Sequence, residues 1–486
     1  MDNSKFITAA RWFLYTSVFA ITVVLAGTFF PFIGGKYYFF RFFVEASLAA
    51  LLLWWGLEAK PGELSARFKE ISGRPLFIAV SVFVLSGLLA SIFAYDSSSA
   101  FWSNFERGEG AFQLLHYYAF FVLCGLLLRT RSHWKAMLIA SVSAATVMVL
   151  YGMGAAVAVK RPDGSFYNPL NLVGPYGMPG TPGVPDSWFG RVFSNNRFQG
   201  SLGNPAYIAP HLMFTMFFCV VLLFFKKIKR KAADWVKLGL SLAFFLIFFT
   251  LSNTRGAFLG LVAGIFVLLA YIVWQKKEWR NRALIVLGSL ILIYAAIFPF
   301  RNRPAVQAIP GARFLTISPT EQSAQTRLWT WGSALKGVKD RPVFGWGQEN
   351  FSHVFDRHLD TRHFTPGTNS ETWFDRAHSV VFDYLAETGI FGLLAYLSML
   401  GTAFWGIIKF SKNKITDSAD SLSGNKILQA AGLGVITAYF VQGLFLFDVL
   451  PIYIPLFTTL AYFLREFVDA EKAIAHESHH KHHDNA

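Results

Sequence analysis

Long apolar stretches recur along nearly the whole chain, separated by shorter polar segments, and this pattern predicts helices that cross a membrane. A crossing helix needs roughly 20 mainly apolar residues. By that measure spans are expected at 12–30, 38–57, 76–95, 113–128, 134–158, 205–225, 236–252, 256–274, 283–299, 390–409, 427–447 and 451–468. A spanning helix satisfies its own backbone groups, so the expected fold is all-α, a polytopic integral membrane protein with about 12 transmembrane helices. The first apolar run follows Lys5 and Arg11, exceeds a signal-peptide core and has no clear small-residue cleavage site before Phe29 and Phe30, so it reads as a retained span. No internal repeat is visible.

The spans divide the chain. Residues 1–158 hold the first five, 159–204 form a Gly/Pro-rich loop, 205–299 hold four more, 300–389 form a large loop, 390–468 hold the last three, and 469–486 are a His-rich tail. Long loops without structure of their own are uncommon unless they are functional, so these two loops are where chemistry is expected. The first, with NPLNLVGPYGMPGTPGVPDSW, is expected to be an irregular lid. The second contains a helical stretch around Arg327 to Lys339 and an amphipathic segment, Ala377 to Glu387, broken at Thr388 and Gly389 before the next span.

Composition agrees: 54% of the 486 residues are hydrophobic, which excludes a soluble multidomain protein. The net charge of +15 would suggest nucleic acid in a soluble chain. Here Lys and Arg gather in short connections such as KKIKRK (Lys226–Lys231) and QKKEWRNR (Gln275–Arg282), with Lys60, Arg67, Lys69, Arg74, Arg129, Arg131 and Lys135 in others on the same side. The opposite short connections hold little beyond Lys36 and Arg107. This is the positive-inside pattern, which puts both termini in the cytoplasm and both long loops outside. No zinc, helix-turn-helix or RNP pattern accompanies the charge, so no nucleic-acid partner is expected. Cys124 and Cys219 lie in apolar runs and imply no disulfide framework. The C-terminal HESHHKHHDNA reads as a solvated, disordered tail, with adventitious metal binding as the other reading.

Few residues stand out as chemistry. Arg255, in the short SNTRG connection between two apolar spans, must snorkel, pair or bind an anion, and the two readings of interfacial anchor and ligand-binding group stay open. Asn253 or Thr254 could cap the following helix, turning its N-terminal amides toward the same anion. Arg41 stands one turn before Glu45, and the two can pair along one helix face. Arg107, between Glu106 and Glu109, reads by itself as part of a polar loop. His378 follows FDRA at the outer interface and is either a general base or a structural histidine. There is no CxxC, HExxH, Walker loop or GxSxG, and no DxD-like pair for a metal and nucleotide diphosphate. What remains is a set of outer arginines and one histidine, suited to a diphosphate leaving group without a metal or other cofactor.

Four stretches carry a resemblance: RFQGSLGNPAY (Arg197–Tyr207), LSNTRGAFLG (Leu251–Gly260), TRLWTWGSALKGVKDRPVFGWGQENF (Thr326–Phe351) and FDRAHSVVFDYLAETGIFGLLAYL (Phe374–Leu397). In order, spacing and placement, from the FFRFFVE span onward, the chain resembles the O-antigen ligase and polymerase family of bacterial envelope glycan enzymes. The resemblance implies an inner-membrane enzyme that moves a glycan from an undecaprenyl-diphosphate-linked donor to an acceptor on the periplasmic or extracellular face, with inversion and without a metal. It places Arg255 and Arg327 on the diphosphate and puts the family's loop histidine at His378. Arg41, Arg197, Asn204, Asp375, Arg376 and Glu387 are taken as substrate-binding, Glu387 being also a second candidate base. The histidine is usually followed by Asn, and here Ser379 stands there, which removes any amide contact made from that position. The acceptor could be lipid A core for a ligase, a growing glycan for a polymerase, or a protein for an oligosaccharyltransferase. A transporter or flippase of lipid-linked glycans shares the hydropathy, but the long outer loops and the absence of repeats or charged midplane helices speak against it.

The charge pattern generates a topological expectation. In intact cells a single cysteine introduced at Gly180 or Thr365 is labelled by an impermeant reagent, and one at Ile415 is protected. The reverse labelling would invert the topology.

Overall fold

The computed structural model describes Ser4 to His483 apart from residues 105, 175–178, 180, 182, 194–196, 226–229, 276, 308–313, 316–320, 365–371 and 412–424, and apart from the side chains of 277, 411 and 476–483. The elements before the first long loop are α1 (Lys5–Ser17), α2 (Gly34–Leu57), α3 (Glu63–Ser72), α4 (Pro75–Ile92), α5 (Ser97–Trp102), α6 (Ala111–Leu127) and α7 (Arg131–Ala155). A two-residue hairpin, β1 (Val159–Lys160) with β2 (Phe166–Tyr167), and α8 (Trp188–Phe193) follow. Then come α9 (Pro205–Phe224), α10 (Ala232–Leu251), α11 (Arg255–Gln275), α12 (Arg280–Ile297), α13 (Pro304–Gln307), α14 (Gln322–Asp340) and α15 (Phe351–Arg357). The chain closes with α16 (Val380–Ser411), α17 (Lys426–Gly443) and α18 (Leu450–His483).

Every expected span but the first falls on an α-helix, and local sequence sets several starts. Asn204 accepts from the Ala206 amide at 2.9 Å ahead of Pro205, and Asn425 does the same for Ile427 and Leu428. Among the described residues eight helices are long and apolar enough to cross a membrane by length and composition: α2, α4, α7, α9, α10, α11, α12 and α16. Helix α6 is apolar but shorter, and α17 and α18 carry polar groups into the bundle interior, with Gln429 and Gln442 buried on α17 and Thr458, Thr459 and Arg465 on α18. The molecule is thus an all-α polytopic membrane protein.

The expected break before the 390–409 span is present: α16 is two helical segments that meet in a kink at Gly389, whose backbone is not helical. Two expectations need correction. The 12–30 span is not one helix: α1 ends at Ser17, a 3₁₀ turn runs to Thr22, and 23–33 is irregular, as Gly27 and Pro31 favour. The tail is not irregular, since the backbone of α18 stays helical to His483.

Two features of the packing position the site. Helix α11 crosses α17 at close range, because a Cβ at Gly260 would lie 2.4 Å from the Ala438 carbonyl and one at Gly264 would lie 2.5 Å from that of Gly434. This fixes Arg255, the first residue of α11, against the end of α17. Above the bundle, Trp346, Phe351, Val354, Phe355 and Phe374 form a second small core with Ala334, Ala377 and Ala386. That core is docked onto the bundle by main chain: Trp346 and Gly347 amides donate to the Ala386 and Glu387 carbonyls at 2.9 and 2.8 Å, and the Tyr95 amide donates to the Trp346 carbonyl at 2.8 Å. Away from this core, Glu70 of α3 gathers Arg129 from the turn before α7 and Arg465 and Lys472 of α18.

Gly389 permits the kink on which the docking depends. Its φ of 65° and ψ of −169° lie in a region essentially restricted to glycine, and a Cβ there would lie 2.2 Å from the Val343 carbonyl oxygen. Gly389→Ala is expected to cost at least about 1–3 kcal/mol, seen as a lower unfolding temperature of the purified protein in detergent. An unchanged temperature would show that the kink is not constrained.

Candidate active site

The second loop brings Phe374 to Ser379 down between α14, α16 and the α17–α18 turn. Its anchor is Arg376, whose Nη1 donates to both carboxylate oxygens of Glu387 at 3.1 and 3.0 Å while Nη2 pairs with Glu349. All three side chains are at least nine-tenths buried. The Ala377 amide donates to Asp383 Oδ1 at 2.6 Å, and Trp331 Nε1 donates to the Ala377 carbonyl at 2.9 Å. Asp375 is held by Arg107, through Nε at 2.8 Å and Nη2 at 2.6 Å, and the Arg107 guanidinium stacks over Phe447.

His378 is the product of this bracing. Its φ is 54°, in the left-handed region that a side-chain-bearing residue enters only under constraint. The ring packs edge-on against Phe374 and Phe447. Its Nδ1 lies 3.2 Å from the Arg376 carbonyl oxygen, which can only accept, so Nδ1 carries the proton and Nε2 presents a lone pair. Burial, helped by the positive charges of Arg327 and Arg107 and opposed by the carbonyl bond and Asp375, pulls its pKa down from 6.5 to about 4. At neutral pH the ring is therefore an uncharged acceptor.

Beside it lies a cavity of about 440 Å³, lined among others by Arg197, Asn253, Arg255, Arg327 and Trp331. The cavity joins two sides of the fold: Arg255 starts α11, Arg327 sits on the second turn of α14, and Arg197 precedes α9 in a left-handed conformation (φ 56°). Trp331 lines the cavity with one edge and holds the His378 loop with its indole N–H. Three guanidinium groups around one volume make an anion-binding chamber with a neutral imidazole at its side.

The sequence-derived candidates thus separate into two groups. Arg197, Arg255 and Arg327 converge on the cavity, while His378 does not line it but is linked to it through Trp331, which lines it and bonds the Ala377 carbonyl, and through the charge of Arg327. Arg376, Glu387 and Asp375 are engaged in ion pairs that hold the loop, and Asn204 caps α9. Arg41 does not pair with Glu45 as expected; it donates to Gln113 Oε1 at 2.6 Å and to the Gly108 carbonyl at 2.8 Å, while Glu45 meets His116 at 2.9 Å. A helix wheel cannot foresee this, because the partners come from α6 and the turn before it. Arg107, read as part of a polar loop, is instead the partner of Asp375, and its neighbour Glu109 bonds the Tyr117 hydroxyl and the Leu450 amide. Among the described residues no group of three or more His, Cys, Asp or Glu gathers to hold a metal.

The cavity thus belongs to a polytopic membrane protein and gathers three arginines at one end of α11 and α14. Residues 240–397 match the family described as O-antigen ligase, and on that segment, which contains Arg255, Arg327 and His378, the chain is O-antigen ligase-like. Members of that family are glycosyl-transferring enzymes, ligases and polymerases. An uncharacterized protein of Haemophilus influenzae is 23% identical over 166 residues, which cover 33% of this chain and 40% of that protein.

The bracing predicts a structural role for Arg376. Removing one member of a buried ion pair typically costs about 3–5 kcal/mol, so Arg376→Met is expected to lower stability by that order, leaving Glu349 and Glu387 facing each other. Thermal unfolding in detergent measures it. Wild-type unfolding combined with lost substrate binding would return Arg376 to the substrate.

Proposed function

We propose that this chain is an inner-membrane glycosyltransferase of the O-antigen ligase type, with both termini cytoplasmic. It moves a glycan from an undecaprenyl-diphosphate-linked donor to an acceptor on the non-cytoplasmic face. The observation that carries this reading is the convergence of Arg197, Arg255 and Arg327 on one cavity beside an uncharged His378.

In this reading the donor's diphosphate enters the cavity and lies across Arg255 and Arg327, with its lipid in the surrounding bilayer. The acceptor hydroxyl attacks the anomeric carbon from the face opposite the diphosphate, so configuration inverts. As the new C–O bond forms, the hydroxyl proton passes to His378 Nε2. The old anomeric C–O bond breaks with its electrons going to the diphosphate oxygen, where the guanidinium groups neutralise the charge. No metal is required, because a lipid diphosphate is already a good leaving group and bidentate guanidinium contacts supply the positive charge.

The electrostatics couple the two halves of the reaction. Arg327 is one of the charges that hold the His378 pKa low. A diphosphate on Arg327 offsets that charge, so His378 becomes a stronger base once donor is bound.

The test is transfer by the purified protein in EDTA, using lipid-diphosphate glycan donor and a lipid A core or glycan acceptor. Arg255→Lys and Arg327→Lys keep the charge but lose the fork, and each is expected to slow transfer by about 10²–10³. His378→Ala is expected to lose about 10²–10⁴, with donor binding kept and with His378→Gln no better. For wild type, the acidic limb of kcat/KM lies nearer pH 4 than 6.5, and that of kcat lies higher, as the donor effect requires. Near-normal turnover by both lysine variants, or by the glutamine variant, would remove the corresponding role. A ligase uses the lipid A core acceptor, and elongation of free glycan instead would assign the chain as a polymerase.

A further inference from the structure

The proposed anion chamber already contains an anion. Glu321 is the N-cap residue of α14, but its side chain does not cap that helix. It reaches across the cavity to Arg255, where Nη2 donates to Oε1 at 3.1 Å and Nη1 pairs with Oε2. This is the two-pronged arrangement by which a guanidinium holds a carboxylate or a phosphate, so the carboxylate uses the groups a diphosphate would use. Glu321 and Arg255 both line the 440 Å³ cavity together with Arg197 and Arg327. On the same helix Phe314 stacks on Phe258, one turn into α11 from Arg255, with centroids 4.0 Å apart and planes 5° apart.

The pair is placed to be exchanged. Its side chains are 24% and 34% exposed, unlike the Arg376 pairs, and partly exposed ion pairs are held weakly. A donor diphosphate carries more negative charge than a carboxylate and displaces it. A phosphodiester headgroup of the bulk anionic lipids carries a single charge and has no such advantage. After transfer the carrier diphosphate has a freed terminal phosphate and still more charge, so an unopposed arginine cluster would hold product more tightly than donor.

We propose that Glu321 is an internal competitor for the diphosphate site, occupying Arg255 between turnovers, excluding singly charged lipid headgroups and returning to help discharge the carrier diphosphate. It rests on the reading of Arg255 as a diphosphate ligand. Occupancy of Arg255 by Glu321 for about nine-tenths of the time would weaken apparent donor affinity about tenfold. The competitor therefore acts on donor affinity and product release, and takes no part in the bond-making step.

The experiment measures binding of a prenyl diphosphate and the matching prenyl monophosphate to the full chain in detergent, for wild type, Glu321→Gln, Glu321→Asp and Arg255→Lys. Glu321→Gln is expected to bind both the diphosphate and the monophosphate about tenfold more tightly, so that the monophosphate occupies the site at concentrations that leave the wild type empty. Glu321→Asp, one methylene shorter, should move the same way and stands in if the glutamine variant fails to fold. In turnover, Glu321→Gln should lower the donor KM and also lower kcat, with stronger inhibition by added carrier diphosphate. If Arg255→Lys weakens diphosphate binding while neither Glu321 variant tightens it, Glu321 is a tether and the proposal is overturned, with the diphosphate reading of Arg255 intact. If neither Arg255→Lys nor the Glu321 variants change binding, that reading fails and the proposal falls with it.

Discussion

A guanidinium buried between two carboxylates governs the architecture of the site. Arg376 is nine-tenths buried, where an unpaired charge would be costly; Glu387 from α16 and Glu349 from the segment before α15 make its burial tolerable. In doing so they tie the His378 loop, the kinked helix and the small upper core into one unit. The left-handed backbone at His378 follows from this arrangement. Such a conformation persists only where the surroundings overdetermine it, and here a side chain, two main-chain groups and two aromatic rings do so.

The same region separates its charges. On the cavity side stand Arg197, Arg255 and Arg327; on the buried side stand Glu109, Glu349, Asp375, Asp383, Glu387 and Asp448 around Arg107 and Arg376. Were all those carboxyls ionised, the acidic side would draw the arginines inward. Burial instead pushes Glu109 and Asp448 up to about 7, despite bonds from Tyr117 and Tyr439 that favour the ionised form. Near neutral pH a share of the acidic groups therefore carries protons, and the cavity keeps its positive character.

Much of this was legible in the sequence where the signal is local. Apolar runs located the helices of the bundle from α2 onward, because hydrocarbon solvation leaves a contiguous imprint of about 20 residues. The break at Thr388–Gly389 marked the kink, since only glycine suits that backbone. Arg255 and Arg327 stood out in the sequence from their motifs, and the fold brings them to one cavity. What could not be read was partnership across distance. Arg107 and Asp375 are 268 residues apart, and Arg41 finds Gln113 in preference to a neighbour one turn away. The 12–30 run shows the opposite error: its hydrophobicity suited a span, but the α-helix ends at Ser17 and the residues from Val23 on are irregular. Glu321 gave no signal at all, being one acid in an undistinguished loop until the fold set it on Arg255.

The Arg107–Asp375 pair bears on how such proteins could be recombined. The segment matched to the ligase family, 240–397, supplies Asp375, while Arg107 belongs to the turn between α5 and α6, and Arg197 precedes the segment as well. Grafting 240–397 from one relative into another would therefore separate a carboxylate from its cation and leave the chamber walled by two lineages. The unit that can be exchanged intact is longer than the stretch that sequence comparison delimits, and it includes the turn that carries Arg107.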